Sequence, residues 1–358
     1  MPRTHSNLRQ KRRASVGTGF HSSHKLDILC LQRKQFAEAI NCLNDALACK
    51  ADDLSALSSL GFALSASGRF AEALAAYDRA ITQKPDSAES HYNRANALRS
   101  LGRRVDAVGA YDAALGLDPV FAEALTNRGN SLRELGRDEE ALDSYDRALA
   151  IKPRLVEALF SRASLLDEME RPLDALAPFD KALSVESKSA AGYLMRGRLL
   201  EQLGRTEQAL ADFTKAGRAD PRNAAAHMLR GDKLIELGRS HEALKCFQTA
   251  IEVDPGCAEA HDRVGMTLVD IGRIAEARLA HEKAVALSPR KAGFYYNLTA
   301  VAELKADDPK FAAMTRMEED IRTLAVDDQI PLHFALAKSY TDQGDYKGAF
   351  RNLRRGTH

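Results

Sequence analysis

One interval organises this chain: prolines recur 34 residues apart. Pro85, Pro119, Pro153, Pro221, Pro255 and Pro289 share a single register, and Ser187 fills the one vacancy inside that span. With the proline counted as position 32 of a unit, position 20 is alanine in every copy from Ala39 and Ala73 to Ala277. Position 27 is alanine as well, from Ala46 and Ala80 to Ala284. A unit of this length cannot bury a core alone, so the chain must stack copies of one motif, each packing on its neighbours.

Each unit reads as two helices. Apolar residues at positions 4, 8 and 11, and again at 20, 24, 27 and 28, recur at helical spacing. Gly68, Gly102, Gly136, Gly204, Gly238 and Gly272 fall between the two halves. There glycine reaches the left-handed conformation that ends a helix without a Cβ penalty. The proline ends the second helix, because it lacks an N–H and clashes with the preceding turn. Position 8 is small in every regular unit (Gly61, Ala95, Gly129, Ala163, Gly197, Gly231, Gly265). Glycine inside a helix costs about 0.5–1 kcal/mol relative to alanine, so close packing against the second helix must compensate. Tyr77, Tyr111, Tyr145, Phe179, Phe213 and Phe247 at position 24 are the side chains expected to fill that space.

These positions together resemble the tetratricopeptide repeat (TPR), over Phe20 to Lys291 in eight units. The resemblance implies an all-α, right-handed superhelical solenoid whose concave wall is made of the first helix of each repeat. The expected organisation is a basic, disordered tail at 1–19, a degenerate first repeat at 20–53, seven regular repeats at 54–291, a helical non-TPR segment at 292–329 and a truncated TPR-like repeat at 330–358. Two features depart from the family: position 4 is His91, His227 and His261 in three units, and position 7 is mostly arginine. Asp27 and Cys30 in the first unit predict poor packing of its first helix.

The balance of 51 Lys+Arg against 50 Asp+Glu gives no global field for nucleic acid or an anionic membrane, so partners must be argued locally. No apolar run is long enough to span a bilayer. The five cysteines lack spacing for zinc or a disulfide framework, which fits a reduced, cytoplasmic setting. The N-terminal stretch carries six Lys/Arg within residues 1–25 and no acid, but no apolar segment follows to make a secretion signal. It reads as a disordered leader, as residues added by an upstream start, or as a nucleic-acid or phospho-regulated arm around "RRAS".

By the resemblance, positions 2, 5, 6, 9, 12 and 13 line the groove, and partner contacts are expected there. Asn93 with Asn96, and Asn127 with Asn130, occupy positions 6 and 9 of adjacent repeats. Side-chain amides offer donor and acceptor together and could grip an extended peptide backbone; the alternative is that they match the family average. Phe160, Leu194, Met195, Met228 and Leu229 make positions 5 and 6 apolar further along, either as a patch for a partner or as core. Arg198 is one of four bases at these positions, against twelve acids in the seven regular repeats. An acidic groove disfavours a phosphate backbone and favours a protein or peptide with basic residues. The arginine row at position 16, Arg69 to Arg273, looks like a binding stripe but is expected to serve helix C-terminal carbonyls and neighbouring acids.

No phosphate-loop, nucleophile-elbow or metalloprotease motif is present, and the three position-4 histidines lie in different repeats, so no catalytic residue, cofactor or metal is expected. Beyond Lys291 the register breaks. "AGFYYNLTAVAEL" and "FAAMTRMEEDIRTLA" are helical in pattern, "KADDPK" and "VDDQIP" read as breaks, and Ala337, Gly344 and Ala349 resume positions 8, 15 and 20. This part resembles the front half of bacterial TPR–sulfotransferase proteins, without any counterpart of their donor-binding loop. The resulting expectation is a non-enzymatic interaction scaffold. The alternative is a truncated sulfotransferase whose repeats present substrate to a missing catalytic domain, with "DYKGAFRNLRRGTH" read as a cut ninth repeat.

Overall fold

In the computed structural model, residues 36–357 are described. The basic tail, Asp27 and Cys30 lie outside them. Contacts divide the chain into two units, residues 1–185 and 186–358. The first unit holds α1 (Phe36–Cys49), then the pairs α2 and α3 (Leu54–Ala66, Phe70–Gln83), α4 and α5 (Ala88–Ser100, Arg104–Leu117), α6 and α7 (Ala122–Arg133, Asp138–Ile151), and α8 and α9 (Val156–Glu168, Pro172–Val185). The second holds α10 and α11 (Ala190–Gln202, Thr206–Ala219), α12 and α13 (Ala224–Glu236, Ser240–Val253), α14 and α15 (Ala258–Asp270, Ile274–Leu287), α16 (Ala292–Val301), α17 (Pro309–Glu319), α18 (Val326–Asp342) and α19 (Tyr346–Gly356). Among the described residues there is no strand, and each unit is an all-α stack built mainly of TPR helix pairs.

The repeat positions act as their chemistry requires. Gly68, Gly102, Gly136, Gly204, Gly238, Gly272 and Gly344 all take positive φ at the turn between paired helices. There the following amide reaches back into the first helix, as Arg69 N does to Leu64 O at 2.9 Å. The fifth repeat has no glycine at this point, and Glu170 takes φ 58° instead. Position 34 supplies N-caps for the next helix: Asp53, Ser87, Ser189 and Asn223 each accept an amide of the first turn.

Position 8 faces position 24 at close range. A Cβ on Gly129 would come within 2.5 Å of the Tyr145 ring, and one on Gly197 would meet Phe213 as closely. The helix-interior glycines are therefore what let the two helices of a repeat close around a buried aromatic ring.

Both departures from the family turn out to be structural. Arg94, Arg128 and Arg162 at position 7 pair at 2.6 Å with Asp78, Asp112 and Asp146 of the preceding repeat. His91, His227 and His261 place Nε2 2.9, 3.0 and 3.3 Å from the carbonyls of Pro85, Pro221 and Pro255. A carbonyl only accepts, so Nε2 is the protonated nitrogen in each. At position 16 the arginine backbone amide takes the first-helix carbonyl, as Arg69 N does Leu64 O, and the side chain takes a neighbouring acid. Arg69, Arg137, Arg239 and Arg273 hold Glu72, Glu140, Glu242 and Glu276 three residues on, which lowers those carboxyls through the arginine hydrogen bond. Such exposed pairs contribute little stability.

The end of the second unit departs from the expected division at 329/330. The helix starts at Val326 and carries Pro331 inside it, so the boundary falls within α18. Proline early in a helix forfeits one hydrogen bond, and tertiary contacts offset this. Buried Asp328 accepts Gly293 N at 3.1 Å and faces Lys291 Nζ at 3.2 Å, while Leu332 and Leu336 join a cluster with Phe294, Leu298, Phe311 and Met314. Through that cluster α16, α17 and α18 form one packed group.

Candidate functional site

The first helices of successive repeats lie side by side within each unit, and their shared face carries the expected partner-binding residues. In the first unit, α4 and α6 carry the asparagines. Asn96 Oδ1 accepts from Tyr111 Oη at 2.5 Å and from Asn127 Nδ2 at 3.1 Å, and Asn127 Nδ2 also donates to Tyr92 Oη at 3.0 Å. Asn130 Oδ1 accepts from Tyr145 Oη at 2.7 Å. Burial pushes the Tyr145 phenol up to about 12 and the Tyr111 phenol above its ordinary range, so both remain donors at neutral pH.

The four asparagines are thus not equivalent. Asn127 is buried with its donor committed between repeats. Asn96 and Asn130 have their oxygens held by tyrosines, which fixes the amide orientation and leaves their nitrogens as the groups to offer. Asn93 is half-buried on the same helix as Asn96. Phe160 on α8 is also half-buried, its ring centroid 6.1 Å from that of Phe179.

In the second unit the same face is apolar and charged. On α10, Met195 and Arg198 are exposed and Leu194 is half-buried. On α12, Met228 and Leu229 are half-buried, and Met228 packs against the cluster around Leu234 and Phe247. Lys233, only 3% exposed, sets its ammonium between Glu201 of α10 and Glu236 of α12. Burial works against that charge, but the two glutamates outweigh it and raise the lysine pKa. Asp232 is raised by burial, with Arg263 of α14 opposing from 3.1 Å.

Sequence reasoning missed a polar centre at the junction between α14, α15 and α16. His281 Nδ1 lies 2.7 Å from Asp262 Oδ1, and Asn297 Nδ2 donates to Asp262 Oδ2 at 2.9 Å. Both His281 and Asp262 are buried. The signal was available: position 24 is tyrosine or phenylalanine from Tyr77 to Phe247 and histidine only in the eighth repeat. Lys233 gave no such signal, since its burial depends on Glu201 in another repeat. Among the described residues no three His, Cys, Asp or Glu side chains gather as a metal site would require, and no helix is long and apolar enough to cross a membrane.

Comparison with known proteins agrees with this architecture. A tetratricopeptide repeat family model matches residues 92–155 and 160–224, a TPR repeat model matches 64–102, and a further tetratricopeptide repeat model matches 200–263. The chain belongs to the tetratricopeptide repeat family.

Among solved structures, a tetratricopeptide repeat protein from Parabacteroides merdae is 21% identical over 70% of this chain and 100% of its own, with a TM-score of 0.52. The C-terminal part of a TPR repeat-containing protein from Cytophaga hutchinsonii is 15% identical over 77% and 99%, with a TM-score of 0.51. These two share the fold. YrrB, a TPR protein with an unusual peptide-binding site, is 26% identical over 51% of this chain and 95% of its own, at a TM-score of 0.45. A search of the curated proteins finds no match.

Proposed function

We propose that the chain is a non-enzymatic protein-interaction scaffold, and that the first-helix face of its second unit binds an extended segment of a partner through apolar and basic side chains. The observation that carries this reading is the pairing of incompletely buried Leu194, Met195, Met228 and Leu229 with the carboxylates of Glu201, Asp232 and Glu236 on the same two helices. Methionine adapts its shape to an apolar side chain, and Glu201 and Glu236, which share the single Lys233 ammonium, keep a net negative charge that suits a partner's lysine or arginine. In the first unit, the tyrosine-held amides of Asn96 and Asn130 offer N–H groups to a peptide carbonyl. The surplus of acids over bases at the groove positions argues against a nucleic-acid ligand. Cys49, Cys246 and Cys257 are thiols, in keeping with a cytoplasmic setting.

The test is selection of extended peptides from a display library on the full chain. Enriched sequences should place an apolar residue beside Lys or Arg. Replacing Leu194, Met195, Met228 and Leu229 with serine should weaken binding at least about tenfold, roughly 1.4 kcal/mol, with helical content unchanged. Enrichment blind to charge would overturn the reading, and so would loss of helicity in the serine variant, which would mark these residues as core.

A further inference from the structure

The first-helix face of the first unit holds a set of hydrogen-bond donors with no acceptor of their own. Asn96 on α4 and Asn130 on α6 are half-buried, and with their oxygens taken by Tyr111 and Tyr145 the amide nitrogens are the uncommitted groups. Arg99, also half-buried, stands three residues after Asn96 on the same side of α4. Burial raises both phenols, and the Arg99 charge is among those opposing it at Tyr111 and at Tyr145, so the guanidinium lies near both tyrosine–asparagine pairs. A cation in the last turn of a helix is favoured by the macrodipole, which accounts for a base at this point. It does not account for the absence of a partner: among the described residues the Arg99 side chain makes no ion pair and no hydrogen bond.

The acids of the same face are committed elsewhere or stand apart from Arg99. Glu123 pairs with Lys152, Glu134 with Arg104 and Glu168 with Arg133. Glu89 and Glu157 belong to the first turns of α4 and α8, whereas Arg99 is in a last turn. Asp167 lies two repeats on, its carboxyl raised by burial and by Glu168. Arg99 and the two amide nitrogens therefore make a locally positive site in a groove whose acids outnumber its bases.

We propose that Arg99, Asn96 and Asn130 bind the side-chain carboxylate of an aspartate or glutamate in the partner's extended segment. This site rests on the reading that such a segment lies along the first-helix faces, and it adds a charge requirement opposite in sign to that of the second unit. A carboxylate presents two oxygens in one plane: an edge that suits the guanidinium fork, with lone pairs left for the amide N–H groups. A backbone carbonyl would satisfy an amide and leave the guanidinium without a counter-charge. A run of phosphates needs clustered Lys/Arg, and here Glu134 and Glu168 already hold the neighbouring arginines.

The probe is a library of short segments displayed between folded flanks, so that no free C-terminal carboxylate is present, selected in parallel on the full chain and on Arg99→Gln. Arg99 has no internal partner, so the circular dichroism of the variant should match that of the parent. The parent should enrich an Asp or Glu that Arg99→Gln does not, while both enrich the apolar residue beside Lys or Arg. An enriched sequence is then made as a fluorescein-labelled, C-terminally amidated peptide and titrated by anisotropy. Exchanging its acid for the corresponding amide should weaken binding to the parent at least about fivefold and leave binding to Arg99→Gln unchanged. Arg99→Glu should select Lys or Arg in place of the acid. The proposal is overturned if the parent enriches the apolar–basic pair without an acid, a result that leaves the reading of the second unit intact. It is also overturned if the acid-to-amide exchange weakens binding equally in parent and variant. Binding of a single-stranded oligonucleotide that Arg99→Gln abolishes would assign the donors to phosphate instead. An enriched acid without the apolar–basic pair would support this site and overturn the reading of the second unit, and no enrichment at all would overturn both.

Discussion

Two junctions between successive repeats follow one plan with different chemistry. Between α4, α5 and α6, Tyr111 and Asn127 both donate to Asn96. Between α14, α15 and α16, His281 and Asn297 converge in the same way on Asp262. In each case the position-24 side chain and the position-6 asparagine of the next repeat share one acceptor on the first helix. The first junction is built from amides and phenols and carries no charge. The second buries a carboxylate beside an imidazole. The repeat pattern therefore fixes the small-residue packing and leaves the polar centre of a junction free to vary, and that choice decides how the junction responds to substitution.

The largest expected effect follows directly. Asp262→Ala leaves His281 Nδ1 and Asn297 Nδ2 facing a dry junction, and each lost hydrogen bond to the carboxylate costs about 1.5–3 kcal/mol. Asn96→Ala strands Tyr111 Oη and leaves Asn127 Nδ2 with Tyr92 Oη as its remaining acceptor, and the loss of an acceptor by a neutral buried donor costs about 1–3 kcal/mol. Asp262→Asn, which keeps an acceptor without the charge, should fall between them. Repeat stacks do not always unfold as one unit, so urea denaturation should be accompanied by hydrogen exchange resolved to α4–α6 and α14–α16. Equal losses at the two junctions would show that the buried charge adds nothing and would dissolve the distinction.

A smaller effect separates the junctions by pH. Burial raises the Tyr145 phenol to about 12 in the folded chain, against an ordinary value of about 10. The folded state thus binds this proton more tightly than the unfolded state does. The stability it confers is complete below about pH 10 and is lost as the pH climbs through about 12. Tyr145→Phe removes the hydroxyl and its bond to Asn130, at a cost of about 1 kcal/mol near neutrality. Melting temperatures of the parent and Tyr145→Phe should therefore converge as the pH rises from about 10 towards 12. Phe213 and Phe247 hold the same position in the second unit without a hydroxyl, so substituting them should give no such convergence. Parallel curves for Tyr145→Phe would mean that the phenol ionises as easily folded as unfolded.

The parts of this molecule that were legible in the sequence are those set within one repeat. Glycine at position 15, alanine at positions 20 and 27 and an aromatic at position 24 each answer to neighbours a few residues away or to the partner helix, and a fixed period reports them. The side chains that define the candidate site answer to other repeats. Asn127 looks like its neighbours Asn93 and Asn130 in sequence, yet Tyr92, 35 residues earlier, takes its donor. Lys233 is buried only because Glu201 stands on the preceding first helix. Pro331 reads as a break in sequence because the local rule for proline is strong, whereas Asp328 and the cluster around Leu332 hold the helix through it. His281 was the exception, since a break in an otherwise aromatic column is visible in sequence alone.

The smallest expected effect tests the period itself, at the one regular turn that breaks it. Six repeats before Lys291 place glycine at positive φ between their paired helices, and the fifth places Glu170 there at φ 58°. A side chain with a Cβ in the left-handed region costs about 1–2 kcal/mol, while glycine at the same point gives the unfolded chain more freedom, worth about 0.4–1 kcal/mol. The difference favours Glu170→Gly by a few tenths to about 1 kcal/mol, and the gain should appear in slower amide exchange across α8 and α9. The reciprocal change, Gly136→Glu, imports the strain into the third regular repeat and, after the same unfolded-state offset, should cost a few tenths to about 1 kcal/mol. Asp167 O accepts the Glu170 amide at 3.0 Å, as Arg133 O accepts that of Gly136 at 2.9 Å, so the two turns share one hydrogen-bonding plan and differ in the residue that must adopt it. If Glu170→Gly were neutral or destabilising, the carboxylate at that turn would be making a contribution large enough to offset its backbone.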